Sequence, residues 1–184
     1  PIGKLSDDED TMSKIRFTEP NREILARRDS IINDLTRLVD PAGLITSTDE
    51  CRAYETDALT AYRKMPLAVV LPKTTEEVSA VLKYCHDTGV KVVPRGAGTS
   101  LAGGAIPSED AVVLGLSKMN RVLAVNYDDR FIRVEAGVTN LSVTAVVAEN
   151  GFFYAPDPSS QLACTIGGNI ANNSGGAHCL KYGV

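Results

Sequence analysis

The chain has 184 residues, enough to bury a substantial core in one domain and short for two. Hydrophobic residues make up 43% and charged residues 23%, the balance expected of a soluble globular protein, and 19 Lys+Arg against 23 Asp+Glu leave a net charge of −4 with no basic tract. These values exclude nucleic acid and an anionic membrane surface as expected partners, and short apolar runs such as Ala111 to Leu114 predict no transmembrane segment, which needs roughly 18 apolar residues.

No signal-peptide or transit-peptide pattern opens the chain. The first eighteen residues, with Asp7, Asp8, Glu9 and Asp10 in a row, lack apolar periodicity and predict a mobile arm. From about Glu19, the residues Ile24, Leu25, Ile31, Ile32, Leu35, Leu38 and Val39 fall on one face of a helix, which Asp40, Pro41, Ala42 and Gly43 stop. Residues 1–65 are thus read as an acidic arm with a helical lead, and residues 66–184 as a second unit.

After Pro66 the pattern changes. Ala68 to Leu71 reads as a buried strand closed by Pro72, and Thr74 stands three residues before Glu77 as a capping box. The helix this opens carries Val78, Val81, Leu82 and Cys85 on one face and ends at Gly89; Val90 to Val93 follows as a strand. Strand, helix and strand in this span predict a βαβ unit, hence a parallel pair with a right-handed crossover, and in such sheets ligands bind beyond the carboxyl ends of the strands. Further on, Val112 to Leu116 reads as a strand, and Val122 to Val125 with Ile132 to Glu135 as a hairpin about Asp128-Asp129. Thr139 or Asn140 caps a helix through Glu149 that Gly151 ends, and Phe152 to Tyr154 reads as a short strand before Pro156-Asp157-Pro158.

Cys51, Cys85, Cys164 and Cys179 form no CxxC pair, and with only His86 and His178 no zinc spacing is complete, so free, mostly buried thiols in a reducing compartment are expected and no metal site.

The glycines are unevenly placed: 13 of the 15 lie at or after Gly89. The loop after the second strand reads Pro94-Arg95-Gly96-Ala97-Gly98-Thr99-Ser100-Leu101-Ala102-Gly103-Gly104. Glycines separated by small or hydroxylated residues let successive backbone N–H groups form an anion-binding concavity, and a diphosphate is its natural occupant. The Rossmann fingerprint fails because its third glycine position is Leu101, and a Walker A loop fails because Gly103 is followed by Gly104 and Ala105. Arg95 either braces this loop or touches the phosphate. A second small-residue segment, Thr165-Ile166-Gly167-Gly168-Asn169-Ile170-Ala171-Asn172-Asn173-Ser174-Gly175-Gly176 and then His178, Lys181, Tyr182 and Gly183, again exposes backbone donors and lets a flat ligand approach.

These two segments, with Pro156-Asp157-Pro158-Ser159-Ser160 between them, closely resemble the FAD-linked oxidase family, the flavin fold of p-cresol methylhydroxylase and vanillyl-alcohol oxidase. The branch they resemble contains the glycolate oxidase FAD-binding subunit and D-lactate dehydrogenases. The resemblance covers Pro66 to Val184 and implies an α+β, PCMH-type FAD-binding domain: a βαβ-containing N-terminal subdomain plus part of a second, incomplete at the C-terminus. It places the FAD diphosphate on Pro94, Arg95, Gly96, Ala97, Gly98, Thr99, Ser100 and Leu101. It places the ribityl chain and isoalloxazine by Pro156, Thr165, Ile166, Gly167, Gly168, Ala171, Ser174, Gly175, Gly176 and Tyr182. Some members bind flavin covalently through a loop histidine; Thr99 stands near that place here, so non-covalent FAD is expected.

The activity implied is oxidation of a small D-2-hydroxy acid, glycolate or D-lactate, to the 2-oxo acid. The alternatives are a D-2-hydroxyglutarate dehydrogenase or sugar oxidase of the same fold, or a non-catalytic nucleotide-binding fragment. The family's catalytic histidines and substrate-carboxylate ligands lie in a later substrate domain, so no catalytic residue is assigned here, and the isolated chain is expected to be inactive and to bind FAD weakly or not at all. Companion flavin and iron–sulfur subunits are implied as partners, with a cytoplasmic location or membrane association through those subunits.

Overall fold

The computed structural model describes residues 17–183, so the arm expected around Asp7 to Asp10 lies outside the described residues. The single helix expected after Glu19 is two helices, α1 (Arg22–Ala26) and α2 (Arg28–Leu35), broken at Arg27, where φ is −95° and ψ 10°. Asn21 caps α1, its side chain accepting the Glu23 N–H at 2.9 Å. With the break between them, Arg27 and Arg28 reach separate acceptors, the carbonyls of Thr88 at 3.0 Å and Thr46 at 2.8 Å. The apolar face survives the break, and Ile24, Ile31 and Leu35 are all buried.

Asp40 caps a 3₁₀ turn over Pro41–Gly43, which leads into β1 (Leu44–Ile45), a strand of two residues that carries no readable periodicity. A short helix, α3 (Thr48–Cys51), follows, with the Ser47 side chain capping it. The main sheet is completed by β2 (Ala68–Val70), β3 (Lys91–Arg95) and β4 (Ala111–Gly115), with α4 (Thr75–Thr88) between β2 and β3. Its order is β1-β2-β4-β3, antiparallel at β1 and parallel elsewhere.

The βαβ strands β2 and β3 are therefore parallel to the same neighbour and are not paired with each other; β4 stands between them. Burial explains the order: every residue of β4 is buried, as suits a central strand, whereas β3 is exposed at Lys91 and Pro94, as suits an edge. Alternate residues serve two cores. Ala68, Val70, Val112 and Leu114 pack with α1, α2 and α4, while Val69 and Val113 pack with Cys51 and Leu71 on the other face.

The capping box at α4 is half formed. Thr74 Oγ1 accepts the Glu77 N–H at 3.2 Å, but the Glu77 carboxylate accepts the N–H of Lys73 at 2.6 Å instead of that of Thr74. Gly89 closes α4 in the left-handed region with φ 73°.

A second, two-stranded sheet is the expected hairpin, β5 (Val122–Asn126) with β6 (Phe131–Val134). It leads to α5 (Asn140–Val147), whose N-cap is Thr139 and which continues as a 3₁₀ turn to Asn150. No strand forms at Phe152 to Tyr154. That stretch is held by side chains: the Phe152 ring lies 5.5 Å from Tyr127, and the Tyr154 N–H donates to Thr144 Oγ1 at 3.0 Å. Two short helices end the described chain, α6 (Ile166–Ala171) and α7 (Cys179–Tyr182). Among the described residues no helix is long and apolar enough to cross a membrane.

Candidate functional site

The last rungs of β3 fix the start of the glycine loop: Pro94 and Arg95 pair with Leu114 and Gly115, and the Leu116 N–H donates to the Arg95 carbonyl at 3.0 Å. Beyond them the chain turns through Gly98 and Gly103, both left-handed at φ 73° and 74°. Among the described residues, the N–H groups of Ala97, Gly98, Thr99, Ser100 and Leu101 donate to no protein acceptor; the Ala102 N–H is taken by Ser100 Oγ at 3.2 Å. Five consecutive free donors beside two hydroxyl side chains make this a place for an oxyanion.

The second glycine segment is pinned to the turn between β6 and α5. The Ile166 N–H donates to the Val138 carbonyl and the Gly167 N–H to the Ala136 carbonyl, each at 2.9 Å. Thr165 caps α6 through Oγ1. Glycine is required where the segment crosses Ala136, since a Cβ on Gly167 would lie 3.0 Å from the Ala136 carbonyl oxygen. The two segments then meet: a Cβ on Gly96 would stand 2.6 Å from Thr165 Oγ1 and 3.7 Å from the Gly168 Cα.

Between them lies an open cleft of about 430 Å³. Of the residues expected from sequence, Pro94, Gly96, Ala97, Gly98, Thr99, Ser100, Thr165, Gly167, Gly168, Ala171 and Ser174 line it. The others do not. Arg95 turns its side chain to Thr56, its Nη1 donating to that carbonyl at 2.6 Å, and Leu101 is 73% exposed. Burial draws the Arg95 guanidinium below its ordinary pKa, with Tyr54 and Asp57 opposing. Ile166 sits at the start of α6 behind the wall. Pro156 is tied to the wall through its carbonyl, which accepts from Asn140 Nδ2 at 2.9 Å.

Gly175, Gly176 and Tyr182 belong to a neighbouring corner. There a Cβ on Gly176 would collide with the Asp157 carbonyl, and Asp157 accepts from the His178 N–H at 3.1 Å and meets His178 Nδ1 at 2.7 Å. Those two contacts, the backbone bond foremost, hold the Asp157 carboxyl below the usual carboxylate range. The Tyr182 ring stands edge-on to Phe153, 6.1 Å between centroids.

Sequence reasoning missed Cys164 and Leu116 as lining residues, and passed over Asn169 and Ser160 within motifs it had already singled out. Asn169 carries most weight. It is buried, its Oδ1 accepts from Asn140 Nδ2 at 2.9 Å, and its Nδ2 lies 3.2 Å from Cys164 Sγ. Asn140 thus ties α5, the Pro156 turn and α6 into one wall. A buried asparagine at a helix start, with four hydrogen-bonding positions to satisfy, was the available signal.

A parallel-sheet edge, an uncovered run of loop amides and a glycine-lined cleft define a protein that holds a phosphorylated cofactor close to its backbone. The chain belongs to the family of the FAD binding domain, which matches residues 66–184. It is 48% identical over 157 residues to the glycolate oxidase subunit GlcD of Escherichia coli K12, covering 85% of this chain and 32% of that protein. It is 39% identical over 156 residues to the D-lactate dehydrogenase of Archaeoglobus fulgidus, covering 84% and 34%. The fold is that of p-cresol methylhydroxylase, with a TM-score of 0.69 at 20% identity over 84% of this chain and 30% of that one. The chain spans about a third of the length of the curated relatives it matches. The residues present fit the cofactor named by the family: the loop N–H groups from Ala97 to Leu101 have no protein acceptor among the described residues, and Ala97 to Ser100 line the cleft, donors of the kind a diphosphate needs.

Proposed function

We propose that this chain is the cofactor-binding part of an FAD-dependent oxidoreductase that oxidises a small D-2-hydroxy acid, glycolate or D-lactate, to the 2-oxo acid. The observation that carries this reading is the row of free N–H groups from Ala97 to Leu101 along a glycine-lined cleft, in a chain of the FAD-binding family. The loop amides, with Thr99 and Ser100, bind the diphosphate without covalent attachment, and the wall from Thr165 to Ser174 orients the remainder of the cofactor. When bound, the flavin supplies the hydride acceptor; the protein supplies binding, orientation and electrostatics. No residue of this chain is assigned as the base that takes the hydroxyl proton. Kinship with a protein described as a subunit supports assembly with companion flavin and iron–sulfur subunits in the cytoplasm.

The test is reconstitution of the full-length protein with FAD, followed by anaerobic addition of glycolate, D-lactate or L-lactate. Bleaching of the flavin by glycolate or D-lactate supports the reading. Flavin binding without bleaching by any of them removes the substrate assignment, and binding of inorganic phosphate without FAD leaves a nucleotide-binding module.

A further inference from the structure

The glycine loop is held from behind by a segment that precedes the family domain. The Ala58 N–H donates to the Gly98 carbonyl at 2.9 Å, and Arg95 Nη1 to the Thr56 carbonyl at 2.6 Å. The Arg95 guanidinium lies over the Tyr54 ring, 5.5 Å from its centroid, and fills the space where a Cβ on Gly98 would stand. The segment is itself anchored, Thr56 Oγ1 donating to the Tyr62 carbonyl at 2.8 Å. Residues 54–59 lie outside the matched span of 66–184.

At the centre of this segment Asp57 is only 4% exposed. Its Oδ1 accepts the Leu59 N–H at 2.9 Å, while its Oδ2 is buried and has no partner among the described residues. A buried carboxylate oxygen left unpartnered opposes folding unless its charge is used. Asp57 stands between Thr56 and Ala58, the two residues whose backbone groups hold the Arg95 guanidinium and the Gly98 carbonyl.

We propose that Asp57 and Arg95 are positioning residues for the anion-binding loop: Arg95 clamps Gly98 from the side away from the cleft without itself meeting the diphosphate, and Asp57, through the Leu59 N–H, fixes the segment from which Thr56 and Ala58 reach Arg95 and Gly98. The proposal rests on the reading of that loop as the diphosphate site. It makes the segment before the FAD-binding domain part of the cofactor site, and it makes Arg95 act through backbone geometry, a role that a lysine with its single point charge cannot fill.

The test compares affinities for FAD and for riboflavin, which lacks the diphosphate, in the full-length protein and in its variants Arg95→Lys, Arg95→Ala, Asp57→Asn and Arg95→Ala/Asp57→Asn. Removing a buried guanidinium-to-carbonyl bond is expected to weaken FAD roughly tenfold or more in both Arg95 variants, equally at low and high salt. Riboflavin affinity is expected to stay within about twofold, and Asp57→Asn to add nothing to Arg95→Ala, as for residues acting as one unit.

A loss that Arg95→Lys restores, or that fades at high salt, means a charge contact with phosphate and overturns the proposal. Equal losses for FAD and riboflavin mean a merely structural role and also overturn it; Tyr54→Leu, which keeps both charges, gives the same comparison if Arg95→Ala does not fold. Failure of the wild-type full-length protein to bind FAD overturns both this proposal and the functional reading, whereas normal wild-type binding with unaffected variants overturns this proposal alone.

Discussion

Two glycines of the loop are constrained in different ways, and their substitutions should fail differently. Gly98 is left-handed, and the space beside it holds the Arg95 guanidinium. Gly98→Val therefore meets both a backbone cost of roughly 1–2 kcal/mol and displacement of the clamp, and should abolish retention of FAD; equal retention, measured by flavin absorbance after gel filtration, would refute the loop assignment. Gly96 is not left-handed, but a Cβ there would stand 2.6 Å from Thr165 Oγ1. Gly96→Ala should push the two glycine segments apart, costing about 1–3 kcal/mol of stability and weakening FAD. Gly89 is the control. It is left-handed at φ 73° with nothing within 4 Å, so Gly89→Ala should cost only about 1 kcal/mol in chemical denaturation and leave FAD affinity unchanged. The sequence marked Gly89 as a helix end but made Gly96 and Gly98 look alike; what separates those two is what stands next to each, which no spacing encodes.

At the scale of elements, the strands and helices with strong local patterns were readable, and their neighbours were not. Thr74, the apolar face of α4 and Gly89 specify a helix and both its ends by local chemistry. The position of β4 between β2 and β3 depends on pairing across the chain, and Val-rich runs such as Val69-Val70 and Val112-Val113 suit any central place in a parallel sheet. The aromatic run Phe152-Phe153-Tyr154 carries strand propensity but finds ring and hydroxyl partners instead of a neighbouring strand.

One buried carboxylate ties several of these elements together. Asp110, 0% exposed, accepts from the Asn21 N–H before α1 at 2.9 Å and from Ser108 Oγ at 2.6 Å, and pairs with Lys91 of β3 at 2.8 Å. Burial alone would raise its pKa, but these partners outweigh that and hold it at about 2 against an ordinary 3.8. A folded-state value below the unfolded one gives stability that is present above about pH 4 and lost as pH falls through about 2, a span worth about 2 kcal/mol. Urea denaturation should lose that amount over this window in the wild-type chain, and Asp110→Asn, destabilised throughout, should lack this part of the pH dependence. An unchanged slope in the variant would remove the assignment.

Across the whole molecule, the groups able to form a bond with a flavin are kept away from the cleft or already engaged. His86 lies in α4, and His178 pairs with Asp157 outside the cleft. Cys164 does line the cleft, but it is 4% exposed and its sulfur lies against Asn169 at 3.2 Å. The site's chemistry is therefore that of neutral donors, backbone N–H groups and hydroxyls, whose hold on an anion is lost once the backbone unfolds. Acid precipitation of the flavin-loaded chain should leave all flavin in the supernatant as intact FAD, with no fluorescence in the washed pellet. Flavin remaining on the pellet would show a covalent link, and peptide mapping would then decide between Cys164 and a histidine brought to the cleft by a rearrangement of the wall.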